Sequence, residues 1–142
     1  MSKIRVLLVE DSAVAINIYE KMLNSSPLIE VIGKAGNGQE GLDLVTALNP
    51  DVICADLQMP VMDGLEFTKQ VMAHHPTPIL VLSNAVQKSD VDNIFEVMKA
   101  GAVDVMAKPQ TALGGNSDSM QNELVIKIRV LATKKVKAIP LG

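Results

Sequence analysis

Tryptophan is absent from this sequence, and tyrosine occurs once and phenylalanine twice in 142 residues. The interior therefore has to be aliphatic, built from Val, Ile, Leu, Ala and eight methionines. Cysteine occurs once, at Cys54, which excludes an internal disulfide and a cysteine-based zinc site. Set in an apolar run, Cys54 reads as a small core residue. The basic excess that marks a nucleic-acid-binding surface is also missing, since the net charge is −3. No uninterrupted apolar stretch approaches the ~20 residues of a membrane span. The opening "MSK" leads straight into a short strand-like run, with no room for the apolar core of a signal peptide. What is present is a globular composition, 48% hydrophobic and 20% charged, too apolar for a disordered chain. A length of 142 residues suits one domain with a single sizeable core. A soluble, cytoplasmic protein is the expectation.

Short apolar runs alternate with longer periodic segments. The runs are "IRVLLV" (4–9), "IEVIGKA" (29–35), "DVICA" (51–55), "PILVL" (78–82) and "VDVMA" (103–107). Their Val and Ile content and their Gly or Pro borders predict strands. Three are continuously apolar, as strands covered on both faces are. The segments between predict helices. After Ser12, a suitable N-cap, Val14, Ile18 and Met22 share a face. Leu44, Ala47 and Leu48 do so before Pro50, and Leu65, Thr68, Val71 and Met72 before Pro76. Val91, Ile94, Phe95 and Met98 follow, with Gly101 as a C-cap. A last segment over about 119–137 repeats Leu124, Ile128 and Leu131. Five strands alternating with five helices imply βαβ units, hence a doubly wound, mainly parallel sheet with helices on both faces. "KAIPLG" at the end reads as the start of a linker, so the domain is expected over 1–137 and the linker from 138–142.

Four of the five runs end in a polar side chain that can do chemistry. The first leads into Glu10 and Asp11, the third into Asp56, the fourth into Ser83 and Asn84, the fifth into Lys108. Taken singly, Asp56 can be a turn residue and Glu10-Asp11 charge at a helix N-terminus. Ser83 can be an N-cap, and Lys108 a solvated charge. Taken together they fall where open α/β sheets bind ligands, outside the carboxyl ends of the strands. Three converging carboxylates repel one another unless a cation sits among them. With oxygen donors and neither Cys nor His nearby, that cation is Mg²⁺ or Mn²⁺. A carboxylate beside such an ion can attack phosphorus and form an acyl phosphate. Lys108 then offers a point charge to the phosphoryl oxygens and Ser83 a hydrogen bond.

At these residues the sequence resembles the receiver domains of two-component response regulators. The resemblance covers about 1–110 and rests on the paired acids, "DLQMPVMDG", the serine after the fourth run and "KP" after the fifth. It implies a flavodoxin-like α/β/α fold with strand order 2-1-3-4-5 and, residue by residue, a set of roles. Asp56 is the phosphoacceptor. Asp11 and Asp56 ligate the metal directly, Glu10 through water, and the backbone carbonyl of Gln58 completes the shell. Ser83 is the switch hydroxyl and Lys108 the phosphate-binding lysine, with a cis Lys108–Pro109 bond. The implied partners are a histidine kinase and a downstream effector, with no nucleic acid bound by this domain and no membrane insertion.

A narrower resemblance lies in "MSKIRVL", "NPDVICADLQMPVMDGLEF", "GAVDVMAKPQ" and the long connection "QTALGGNSDSMQNEL". These are similar to the N-terminal domain of chemotaxis protein-glutamate methylesterases, the CheB type, in which receiver phosphorylation relieves inhibition of an esterase. No esterase site is legible here, because the only histidines are His74 and His75 before Pro76 and no G-x-S-x-G occurs. Val105 departs from the family, which commonly has an aromatic three residues before the lysine. Ala85 and Gln58 flank the approach of attacking water and are expected to tune phosphate lifetime. Rival readings are a stand-alone single-domain receiver, a docking module that works without phosphorylation, and an aspartyl-nucleophile phosphatase, whose second acid is replaced by Gln58. Lys127, Arg129, Lys134, Lys135 and Lys137 read as a solvated helix face or linker rather than a DNA-binding run.

Overall fold

The computed structural model describes residues 3–57, 59–83, 88–107 and 117–141. Strands and helices alternate along the chain, beginning with β1 (Ile4–Val9), α1 (Ala13–Asn24), β2 (Ile29–Ala35), α2 (Gly38–Leu48) and β3 (Val52–Asp56). They continue with α3 (Gly64–His74), β4 (Ile79–Ser83), α4 (Lys88–Lys99), β5 (Asp104–Ala107) and α5 (Ser117–Leu131). The strands form one sheet in the order β2-β1-β3-β4-β5, and every neighbouring pair is parallel. Among the described residues no helix is long and apolar enough to cross a membrane.

The continuous apolar runs resolve into two faces because successive side chains of a strand point to opposite sides. Val6, Leu8, Val52, Cys54, Leu80, Leu82 and Met106 face α1 and α5, where Tyr19, Leu23, Leu124, Ile128 and Leu131 complete that half of the core. Leu7, Val9, Ile53, Ala55, Ile79 and Val81 face the other way, against Val45, Phe67, Val71, Met72 and Val97 of α2, α3 and α4. Burial on both faces locks the register, since a slip of one residue would exchange the two sets.

The third and fourth strands run one residue further than their apolar runs, so Asp56 and Ser83 are strand residues rather than loop residues. Ser12 caps α1, its hydroxyl accepting from the Ala15 N–H at 3.2 Å. The C-terminus of α4 closes with paired bonds, Gly101 N–H to the Met98 carbonyl and Ala102 N–H to that of Val97, both 3.1 Å. Gly101 sits at φ +119°, which a residue with a side chain adopts only under strain.

Helix faces depart from the expected ones in places. Of the expected face of α1, Met22 is buried and Ile18 packs against the core while Val14 is 69% exposed, and Tyr19 and Leu23 are buried beside them. In α2 the buried residues are Gly38, Gly41 and Val45, while Ala47 faces solvent. In α4, Val97 is fully buried whereas Phe95 and Met98 are exposed, and the Lys99 ammonium lies 5.4 Å from the Phe95 ring centre. The last helix ends at Leu131, short of the predicted 137. From there the chain leaves the α1–α5 face, and Val136 packs against the opposite half of the core, a position no straight continuation of α5 could reach.

Candidate functional site

In the strand order β2-β1-β3-β4-β5 the chain reverses direction of winding between β1 and β3, which opens a crevice at the carboxyl ends of those two strands. Glu10 and Asp11 follow β1, and Asp56 ends β3. The Glu10 N–H donates to the Ala35 carbonyl at 2.9 Å, extending the β1–β2 ladder by one residue. Its carboxylate Oε2 accepts the Ser12 N–H at 3.0 Å. Glu10 and Asp56 are 2% and 3% exposed, and Asp11 is exposed. One carboxylate oxygen from each of the three lies within 4.8 Å of the others.

Such a group suits a small hard cation. Its donors are all oxygen, two of the three carboxylates are almost wholly withdrawn from water, and mutual repulsion at this spacing is relieved by a divalent charge. Cys54 does not add a soft ligand. It lies two residues before Asp56 but is buried in the α1–α5 half of the core, and burial pushes its thiol up to about 12.

The loop after Asp56 is held against the start of α3. The Gly64 N–H donates to the Leu57 carbonyl at 2.8 Å, and a Cβ on Gly64 would lie 2.6 Å from the Asp56 carbonyl oxygen. The Thr68 hydroxyl, fully buried, donates to the Gly64 carbonyl at 2.8 Å and ties this contact into α3. Asp63 caps the helix by accepting the Glu66 N–H at 2.9 Å. "DG" at 63–64 thus supplies a cap and a close backbone approach, both within the turn that follows the acid.

Ser83 ends β4, beside β3, and is 2% exposed. The strand pairing sets Asp56 against Leu82 and Ser83 against Ala107. Val105 pairs with Val81 and packs, half-buried, against the α2–α4 half of the core. Gln58, Asn84, Ala85, Lys108 and the Lys108–Pro109 bond lie outside the described residues. Lys127, grouped above with the solvated lysines, instead bonds the Asp104 carboxylate at 2.8 Å and joins α5 to β5.

Tyr19 belongs to this neighbourhood although nothing singled it out in the sequence. It is 3% exposed, and its hydroxyl is pushed above the usual tyrosine range by burial first, then by the charges of Glu10 and Asp56. The available signal was its place, as the one tyrosine, on the helix that starts directly after the acidic pair.

The family model for the response regulator receiver domain matches residues 6–113. The chain belongs to the response regulator receiver domain family. Within it, the similarity runs to the CheB type. The response regulator domain of Thermotoga maritima CheB superposes with a TM-score of 0.82 at 32% identity, covering 94% of this chain and 98% of that one. A protein-glutamate methylesterase/protein-glutamine glutaminase of Sulfurimonas denitrificans is 38% identical over 135 residues, covering 95% of this chain and 38% of that protein. A second, from Carboxydothermus hydrogenoformans, is 41% identical over 135 residues with the same coverages, 95% and 38%. This receiver domain therefore spans about two-fifths of the length of the curated relatives it matches.

Proposed function

We propose that this receiver accepts a phosphoryl group on Asp56 from the phosphohistidine of a chemotaxis-type histidine kinase in the cytoplasm. A carboxylate oxygen of Asp56 attacks phosphorus, the phosphorus–nitrogen bond to the imidazole breaks, and the imidazole leaves with its electron pair and takes up a proton. The product is a mixed anhydride, which water later cleaves to return the carboxylate and inorganic phosphate. Asp11 and Asp56, Glu10 through water and the Gln58 carbonyl would hold Mg²⁺ or Mn²⁺, which would supply neutralisation of charge on the phosphoryl oxygens. Ser83 donates a hydrogen bond to the phosphoryl group and Lys108 an ammonium charge. Because those contacts exist only with the phosphoryl group present, they favour one of two arrangements of the domain. The output is the activity of an effector, a methylesterase of the kind named in the relatives. Nucleic acid and membrane are not partners in this reading.

The observation that carries the reading is the meeting of three carboxylates within 4.8 Å at the switch point of the sheet, with Asp56 buried among them. Incubation with labelled acetyl phosphate and Mg²⁺ should place one phosphoryl group on each chain, and Asp56→Asn should abolish it. Stoichiometric labelling of the variant would overturn the assignment.

A further inference from the structure

The segment after α5 is exposed over 133–135 and 137–141, with Ile139 41% exposed, yet it is tied to the fold at Val136 and Ile139. Thr133 and Lys134 donate to the Val130 and Leu131 carbonyls at 3.1 and 2.9 Å, turning the chain out of the helix. It then passes to the other face of the sheet, where Val136 joins the α2–α4 half of the core between exposed Lys135 and Lys137. Three residues on, the Ile139 N–H donates to the Met72 carbonyl, in the last turn of α3, at 2.9 Å. The Ile139 side chain lies over Gly101, where an added Cβ would come within 2.8 Å of both Ile139 Cδ1 and Met72 Cγ. The absent side chain of Gly101 is thus the seat that Ile139 occupies. Beyond it, Ile139, Pro140 and Leu141 wall an apolar cavity of about 220 Å³ together with Lys69 and Ala100.

This seat lies at the far end of the molecule from the acidic cluster, because helices of a parallel α/β sheet run against their strands and end at the opposite edge. The element that joins the two ends is α4. It follows β4, whose last residue is Ser83, and it ends at Lys99, two residues before Gly101. Among its described side chains Val97 is fully buried and Ile94 half-buried, while Phe95 and Met98 are exposed.

We infer that residues 132–141 form a strap, pinned by Val136 and Ile139 across the ends of α3 and α4, that couples the path of the chain beyond α5 to the position of α4. The inference rests on the reading of Asp56 as phosphoacceptor. A phosphoryl group that draws on Ser83 moves the start of α4, the shift reaches Gly101, and the seat of Ile139 changes. Coupling is reciprocal, so releasing the strap alters the affinity of the acidic site for a phosphoryl mimic.

The test places a spin label at Ala138→Cys, an exposed position between the two anchors; buried Cys54 does not compete for the label. In the otherwise unaltered chain the label should be immobilised. With Ile139→Ser it should become mobile while circular dichroism and the thermal transition confirm a folded domain, and Val136→Ser provides a second release. Beryllofluoride with Mg²⁺ should alter label mobility in the unaltered strap, and its affinity should differ about five-fold or more between the unaltered and released chains. Equal mobility in both chains would show that the strap is not docked. Affinities within two-fold of each other would show that it is docked but uncoupled, and either result overturns the inference. A failure of beryllofluoride to bind the unaltered chain at all would instead strike the phosphoacceptor reading, and the inference with it.

Discussion

Gly64 stands so close to Asp56 that a methyl group on it would lie 2.6 Å from the Asp56 carbonyl oxygen and 2.8 Å from both Cα and the carbonyl oxygen of Leu57. All three are backbone atoms, which cannot turn aside as a side chain can. Gly64→Ala should therefore push α3 away from the end of β3, at a cost of about 1–3 kcal/mol. Urea denaturation would read the loss of stability, and labelling with acetyl phosphate should slow in parallel, because the loop carrying Gln58 starts at Asp56.

Removal of divalent cation by chelation should stop labelling of Asp56. Asp11→Asn should weaken Mg²⁺ binding roughly ten-fold or more, and Glu10→Gln by less if its contact runs through water. Tyr19 provides the readout. It is the one tyrosine in a chain without tryptophan, and the charges of Glu10 and Asp56 act on its hydroxyl. Its fluorescence should follow a Mg²⁺ titration in the unaltered domain and respond only at higher concentrations in Asp11→Asn.

Alkaline pH should destabilise the fold in a defined window. Burial raises the Cys54 thiol from 9.0 to about 12, and burial with the neighbouring acids raises the Tyr19 hydroxyl above its ordinary 10.0. Both groups hold their protons more tightly folded than unfolded, so their contribution is complete below the unfolded values and is lost as pH rises through the folded ones. Urea midpoints should fall as pH climbs above 9, and more steeply above 10. Tyr19→Phe should flatten the upper part of that slope, and an unchanged slope would remove Tyr19 from the explanation.

Val61 adopts φ +68°, a conformation rare for a β-branched residue, and the Met62 N–H closes a tight turn onto the Pro60 carbonyl at 2.7 Å. Its side chain is 82% exposed, so truncation removes little packing. Val61→Gly should raise stability by about 1 kcal/mol, read as a higher thermal midpoint. A lower midpoint would mean that the freedom gained by the unfolded chain outweighs the relieved strain.

The strands and the acidic cluster were legible because both depend on alternation that the chain states openly, an apolar run followed by a carboxylate or hydroxyl. Helix faces were less so. Spacing of three and four fits two adjoining stripes, and only the docked sheet selects one. Val14 shares a stripe with buried Met22 but stands in the first turn of α1, where it is exposed. Phe95 and Met98 fall on the unselected stripe of α4, which presents Val97 to the sheet instead. Tyr19 was hidden because an aromatic at a core spacing carries no mark of what its hydroxyl faces. The end of α5 was overestimated since lysine and alanine after Leu131 suit a helix as well as a strap. What turns the chain there is the tertiary seat of Val136 and Ile139, which local propensity cannot express.

The parallel sheet draws Glu10 and Asp11 to Asp56 only when β1 and β3 lie side by side. A chain in which that pairing has not formed carries every acid and yet offers no cation a home. Capture of a divalent cation there would therefore report completion of the central pair of strands, and such an ion would lend its binding energy to the folded form alone. A destabilised variant should regain lost ground as Mg²⁺ is added, and a truncated chain lacking that pair should take up no label from acetyl phosphate.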